Sequence, residues 1–316
     1  MSFSMRTNGK LLLTGEYFVT EGAVALALPT QLGQSLNVNG LKATGEPKLV
    51  WKSLSSEQEV WFEATYNLPD LNILECDGGD DKDDVAESLQ NTLKQAQSLN
   101  PDFLDGNDSW EATSALEFSR DWGLGSSSTL ITMIAKWALI DPFLLLKRTF
   151  GGSGYDIVAA TAEGPMLFQK FNGKNRWEKS NFNPTFKEHL YFVYLEKKQN
   201  TREALVYYMI STPEEREKPL PRITQITHDI AQYTKNLEDF DDLIAEHEDL
   251  VKSVIQQPRA KEIHFSDFWG EVKSLGGWGG DFVLATSNRS EEDTKEYFRS
   301  KGFNTIFRYD ELVKEY

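Results

Sequence analysis

Apolar positions along the chain change period several times, and each change predicts an element. Residues 10–29 (Lys10-Leu-Leu-Leu-Thr-Gly-Glu-Tyr-Phe-Val-Thr-Glu-Gly-Ala-Val-Ala-Leu-Ala-Leu-Pro29) form two apolar runs broken at Gly15-Glu16 and Glu21-Gly22. Short apolar runs bounded by glycine predict strands with a tight connection. Ser35–Val38 alternates, and Lys48–Lys52 and Val60–Ala64 follow at hairpin distances, which predicts more strands over 34–66. Val85, Leu89, Leu93, Ala96 and Leu99 recur at helical spacing and stop before Asn100-Pro101. Alternation returns from Trp110 to Phe118. From Thr129 to Leu139 apolar residues then occupy nearly every face, predicting a buried helix that stops near Asp141-Pro142. Ile157–Ala162 is small and helical, and Met166–Lys170 with Arg176–Glu178 predicts a hairpin turning at Asn172-Gly173.

Beyond about residue 185 the pattern changes, and a boundary there divides the chain into domains 1–185 and 186–316. Leu190–Leu195 reads as a buried strand, Thr201–Ile210 as a helix, and the charged Pro213–Pro219 as an exposed connection. Two amphipathic helices follow, one marked by Ile223, Ile226 and Ile230, the other by Phe240, Leu243, Ile244, Leu250, Val251 and Val254. Their histidines, His228 and His247, lack ligand spacing and are expected at the surface. Gly276–Asp281 runs into a strand, Ser290-Glu-Glu-Asp293 opens a helix with a capping box, and Asn304–Tyr309 closes as a strand. Strand–helix–helix–strand–helix–strand is the order of a ferredoxin-like α+β layer. The acidic Glu75–Asp84 lacks the terminal glutamate spacing of a calcium-binding hand and reads as a solvated loop leading into a helix.

Composition narrows the picture. A chain that is 40% hydrophobic and 12% aromatic can fill well-packed cores. A net charge of -16 argues against nucleic-acid or anionic-membrane partners, though not against a small anion held by local N–H groups. Cys76 is the single cysteine, so neither an intrachain disulfide nor a thiolate cluster is available. With no signal-peptide pattern and no apolar run near the ~20 residues of a membrane helix, a cytoplasmic protein is expected.

The candidate chemistry lies in three glycine clusters. Gly123-Leu-Gly-Ser-Ser-Ser128 opens the buried helix, where free N–H groups and a positive dipole end favour an anion; a capped core helix is the equal alternative on this stretch alone. Gly151-Gly-Ser-Gly-Tyr-Asp156 precedes the small helix, with Asp156 as an N-cap or as a carboxylate in a glycine-lined cavity. Gly276-Gly-Trp-Gly-Gly-Asp281 is the third, and Lys10 and Glu16 flank the first apolar strand. No Gly-x-x-x-x-Gly-Lys-Ser/Thr is present, nor a dinucleotide fingerprint after the first strand.

Together these motifs resemble the GHMP kinases, the group of galactokinase, homoserine kinase, mevalonate kinase and phosphomevalonate kinase. Lys10–Val19 is similar to the first family motif, Gly123–Ser128 to the phosphate loop, Gly152–Asp156 to the region of the catalytic aspartate, and Gly276–Asp281 to the third motif. Gly-Glu-Tyr, Gly-Ser-Gly-Tyr-Asp and Gly-Gly-Asp look more like phosphomevalonate kinase, whereas the length is nearer to a compact mevalonate kinase. The resemblance implies an α+β, two-domain GHMP kinase fold. Its N-terminal domain is ribosomal-S5-like, its C-terminal domain is ferredoxin-like, and the active site lies in the cleft between them.

It also implies ATP and Mg²⁺ as cofactors and a small-molecule acceptor, mevalonate or phosphomevalonate, as partner, for a monomer or homodimer. By resemblance Asp156 and Lys10 are catalytic, and Gly123, Leu124, Gly125, Ser126, Ser127 and Ser128 bind nucleotide, with Ser127 also at the metal. Glu16, Ser153, Gly277, Gly279 and Gly280 lie at the acceptor. Leu145 stands where many members carry a metal-binding glutamate, Trp278 where glycine is common, and Glu117–Trp122 lacks the usual upstream proline. Arg120 is either an extra phosphate contact or an exposed loop arginine. A kinase of another acceptor such as a sugar, a diphosphomevalonate decarboxylase, and a nucleotide-binding protein without turnover are the other readings.

Overall fold

The computed structural model describes residues 2–196, 206, 208–278 and 281–316. The chain divides into two compact units. Unit 1 comprises Met1–Gly9, Leu32–Arg120 and Leu124–Thr161, and unit 2 comprises Lys10–Gln31, Asp121–Gly123 and Ala162–Tyr316. Strands β1 (Ser2–Thr14) and β2 (Ala25–Lys42) contribute residues to both.

In unit 1 the later half of β2 pairs antiparallel with β6 (Asp108–Leu116), from Gln34↔Leu116 to Lys42↔Asp108. Strand β6 runs parallel to β3 (Lys48–Leu54), which continues antiparallel to β4 (Val60–Asn67) and then β5 (Ile73–Gly78). On β3, Leu49, Trp51 and Ser53 are buried and their neighbours are not, the period of two that a strand imposes on its side chains. Helix α1 (Lys82–Leu99) buries Ala86, Leu89, Leu93 and Ala96 at helical spacing. With α2 (Ser126–Trp137), α3 (Pro142–Arg148) and α4 (Tyr155–Ala159) it closes an apolar core that includes Leu36, Trp51, Ile134 and Leu145.

Two elements of unit 1 differ from expectation. The acidic Glu75–Asp84 is not all loop, because its first part belongs to β5, with Glu63↔Asp77 and Ala64↔Cys76 in register. An edge strand with exposed side chains is defined by backbone hydrogen bonds and needs no apolar alternation. Pro142 begins a helix as well as marking the end of one. Asp141 caps α3 by accepting from Phe143 N at 2.8 Å, and proline fits the first turn because its missing N–H has no partner there to lose.

In unit 2 the first residues of β2 pair with β7 (Met166–Phe171), which forms a hairpin with β8 (Lys174–Lys179). Asn172 and Gly173 turn it at φ of 50° and 73°, as a two-residue loop of matching twist requires. A second sheet has the order β10-β11-β9-β12, from β9 (Leu190–Tyr194), β10 (Val272–Leu275), β11 (Phe282–Thr286) and β12 (Ile306–Arg308). Between β9 and β10 run α5 (Pro213–Glu217), α6 (Leu220–Gln232), α7 (Leu237–Ile255) and α8 (Ala260–His264). Helix α9 (Glu291–Ser300) joins β11 to β12, and α10 (Tyr309–Leu312) follows. The expected ferredoxin-like layer is present, with one more strand than the pattern disclosed. Val-Lys-Ser-Leu in β10 neither alternates nor runs apolar, which hid it.

Pro213–Pro219 is also more than an exposed connection. Thr212 Oγ1 accepts from Glu215 N at 3.2 Å and Glu215 Oε2 accepts from Thr212 N at 2.7 Å, a capping box that starts α5. Of the helix expected over Thr201–Ile210, residues 201–205 and 207 lie outside the described residues, while 206 and 208–210 are helical. His228 is half-buried, whereas His247, expected at the surface, is fully buried. It lies three residues after Ile244 and four before Val251, on the inward stripe of α7.

Candidate active site

Unit 1 carries the serine-rich helix start. Gly125, at φ 88°, is the N-cap of α2 and brings no side chain to the first-turn amides. Leu124 is buried, which fixes the loop from beneath. The Ser128 hydroxyl turns back to donate to Gly125 O at 2.9 Å, and Thr129 donates to Ser126 O at 2.8 Å. Ser126 is half-buried and Ser127 exposed, and both line a cavity of about 250 Å³ with Trp51, Trp61, Ser88 and Arg120. The Arg120 guanidinium lies 3.8 Å from the centre of the Trp61 ring and donates to Asp81 Oδ2 at 2.8 Å. Its charge is therefore paired, and its flat face covers an aromatic wall. The sequence reading missed this cavity, because Trp51 and Trp61 stand inside short apolar runs that read only as strands.

Helix α4 packs against α2 within the same unit. Gly154, at φ 95°, is its N-cap, Ser153 is buried, and Asp156 lies half-buried in its first turn, where Oδ1 accepts from Ile157 N at 3.1 Å. Leu145 is fully buried in the core. Among the described residues no group of three or more His, Cys, Asp or Glu is arranged to hold a metal ion.

Unit 2 carries Lys10, Glu16 and the third glycine cluster. Lys10 is half-buried on β1 and its Nζ donates to Gly123 O at 2.9 Å. Trp122 seats that segment in an aromatic box, with ring centres 6.2 Å from Tyr194, 6.0 Å from Phe282 and 5.3 Å from Phe307. Gly123 itself sits at φ 65° so close to Asp281 that a Cβ would lie 2.3 Å from Oδ2. Gly276, at φ 78°, also borders Asp281. Gly277 is buried, and Gly279 and Gly280 lie outside the described residues. Trp278 is buried and committed at both N–H groups: its backbone N donates to Tyr17 Oη at 2.8 Å and its Nε1 to Pro258 O at 2.9 Å.

The turn after β1 leads into a buried charge cluster. Gly15 is required there, since a Cβ would lie 2.7 Å from Ala25 Cβ. Gly15 N donates to His247 Nε2 at 3.0 Å, so that nitrogen bears a lone pair and the neutral ring carries its proton at Nδ1. Burial pushes His247 well below its ordinary value, and the Lys273 charge adds to the effect. Glu16 Oε1 accepts from Lys273 Nζ at 2.6 Å, while Oε2 lies 3.4 Å from His247 Nε2 without a hydrogen-bond partner among the described residues. Burial raises Glu16 to about 7 against the pull of Lys273. Lys273 also donates to Ser274 O at 3.0 Å and lies 3.4 Å from Glu248, whose carboxyl burial likewise raises. Lys273 and Glu248 were not singled out from sequence, and His247 was expected at the surface. A lysine two residues before Leu275 and next to Val272, ahead of the third glycine cluster, was the one available signal.

No protein-family model matches the chain, and no curated protein does. Solved structures do match along nearly its whole length. A mevalonate kinase from Methanococcus jannaschii is 19% identical with a TM-score of 0.69, covering 100% of this chain and 99% of its own. The Streptococcus pneumoniae phosphomevalonate kinase in complex with phosphomevalonate and AMPPNP is 16% identical with a TM-score of 0.66, covering 97% and 99%. A Lactococcus lactis galactokinase complexed with galactose is 10% identical with a TM-score of 0.69, covering 99% and 93%. With its large sheet, its second ferredoxin-like sheet and these matches, the chain has the two-domain α+β fold of the GHMP kinases.

Proposed function

We propose that the protein is an ATP-dependent small-molecule kinase that phosphorylates mevalonate or 5-phosphomevalonate. The observation that carries this reading is the cavity beside Ser126 and Ser127, at the start of a twelve-residue helix whose N-cap is a bare glycine. Tryptophan walls suit a flat base, and uncapped amides with a positive dipole end suit phosphates. The loop residues Gly123–Ser128 hold the ATP phosphates.

Phosphoryl transfer is mainly positioning and charge neutralisation. Asp156 accepts the proton of the attacking acceptor hydroxyl, and Lys10 balances charge developing in the transition state. Ser153, Gly277, Gly279 and Gly280 border the acceptor. The exposed Ser127 hydroxyl would hold Mg²⁺, an ion that keeps several waters and leans on substrate phosphates instead of a protein cage. When bound, that ion neutralises phosphate charge.

The experiment is ADP release with Mg·ATP and a panel of mevalonate, phosphomevalonate, homoserine and sugars. Turnover on one of the first two is expected, with kcat reduced about 10²–10⁴-fold in Asp156→Asn. Turnover on a sugar alone would move the acceptor class, and carbon dioxide release would mark a decarboxylase. No turnover on any acceptor, or an unchanged Asp156→Asn, sinks the kinase reading. A second reading, nucleotide binding without turnover, is favoured by the core position of Leu145. Calorimetric binding of Mg·ATP with no ADP release would select it.

A further inference from the structure

Two arms of unit 2 end on Gly123. One is β1, from which Lys10 Nζ reaches Gly123 O at 2.9 Å. The other is the loop after β10, from which Asp281 borders Gly123 so closely that no Cβ fits between them. Behind Gly123 the same arms are joined twice. Lys273 Nζ donates to Glu16 Oε1 at 2.6 Å, and Trp278 N donates to Tyr17 Oη at 2.8 Å. Glu16 and Tyr17 adjoin in the turn that ends β1, and Lys273 and Trp278 bracket the glycines Gly276 and Gly277. Around the first link, Gly15 N donates to His247 Nε2 and Ser274 N to Glu248 Oε2 at 3.2 Å. Lys273 is 1% exposed and the Glu16 side chain 6%, so neither charge has water as an alternative partner.

On the kinase reading given above, we propose that Lys273 is a positioning residue for phosphoryl transfer. It anchors the Glu16 carboxylate and so fixes the Lys10 strand and the third glycine loop in one register about Gly123. Glu16 serves as the buried counter-group of Lys273 and not as a ligand of the acceptor. Breaking a buried pair strands a charge, and the displacement that relieves it is felt at Lys10.

The test is steady-state kinetics of Lys273→Met, Glu16→Ala and Glu16→Gln, each checked for folding by circular dichroism and melting. Lys273→Met and Glu16→Ala are expected to lower kcat by about tenfold or more with both KM values within about threefold of wild type. Glu16→Gln, whose amide oxygen still accepts from Lys273, is expected to recover most of the kcat lost in Glu16→Ala. If Lys273→Met fails to fold, K273M/E248Q strands one carboxylate fewer and carries the same expectation. An acceptor KM raised about tenfold in Glu16→Gln with kcat retained would place Glu16 on the acceptor and overturn the proposal. Wild-type kcat in Lys273→Met overturns it too, while the kinase reading stands. A folded wild type with no turnover overturns the kinase reading itself, and the positioning role with it.

Discussion

The two units handle polar groups in opposite ways. At the start of α2 in unit 1, Gly125 leaves the first-turn amides uncapped, and Ser126 and Ser127 border a cavity. In the core of unit 2, Glu16, Lys273, Glu248 and His247 are removed from water and satisfied mostly by one another. The first arrangement leaves backbone dipoles for an arriving anion; the second spends its charges internally and so can fix geometry. If Glu16 has the positioning role proposed above, chemistry-bearing residue types do not by themselves mark contact with a ligand. Glu16 and Ser127 belong to motifs of equal standing in the sequence, and only their surroundings separate them.

The sharpest way to break this contrast is at two glycines of similar backbone angle. Gly123 has φ 65° and Asp281 Oδ2 where its Cβ would go, whereas Gly151 has φ 71° and, among the described residues, nothing within 4 Å of that position. Both alanine variants carry the left-handed strain of about 1 kcal/mol, and Gly123→Ala must also displace Asp281, for about 3 kcal/mol in total. Urea unfolding of the two variants reads the difference. Equal losses would mean that the segment around Gly123 yields freely.

Much of this was legible in the chain. Period-two alternation disclosed β6, hairpin spacing disclosed β3 and β4, helical spacing disclosed α1, α6 and α7, and Asn172-Gly173 disclosed the hairpin. Glycines disclosed where backbone must approach closely, as Gly123 of the first cluster and Gly15 of the turn after β1 do. Elements defined by backbone bonds or caps were not legible, as with β5 and α5, because their side chains are exposed and charged. Nor was the buried cluster: Lys273 and Glu16 are 257 positions apart, and only the fold makes them partners. His247 was misplaced because a polar residue on an apolar stripe reads as an exception unless its partner is known.

Proton linkage probes the buried side of the contrast. Glu16 rises from the ordinary 4.5 to about 7 in the fold, so the folded state holds a proton there that the unfolded chain has released. That contribution is full below 4.5 and is lost as pH rises through about 7. His247 is shifted the other way, from the ordinary 6.5 to well below it, so its contribution is present above 6.5 and lost as pH falls. The two slopes oppose each other between about pH 5 and 6.5, each up to about 1.4 kcal/mol per pH unit. The raised Glu248 carboxyl adds to the Glu16 direction. His247→Gln should therefore make stability fall more steeply with pH in this window, and Glu16→Gln should make it fall less or rise. Denaturant titrations at several pH values check both signs. Parallel curves for the two variants would show that the cluster does not hold its proton on Glu16.

The smallest effect belongs to an ion pair that unit 1 keeps at its surface. Arg6 Nη2 and Glu117 Oε2 are 2.6 Å apart with side chains 40% and 38% exposed, and Glu117 also accepts from Gly33 N at 2.8 Å. The Arg6 guanidinium holds the Glu117 carboxyl below its ordinary value, but water competes for both groups. A double-mutant cycle on Arg6→Ala and Glu117→Ala should give a coupling of about 0.5–1 kcal/mol, falling as salt is raised. The same cycle on Lys273→Met and Glu16→Ala should give a larger coupling that salt barely changes, because no counterion reaches a lysine 1% exposed. If both couplings fell alike with salt, the cluster in unit 2 would be open to solvent and its charges free to meet a ligand.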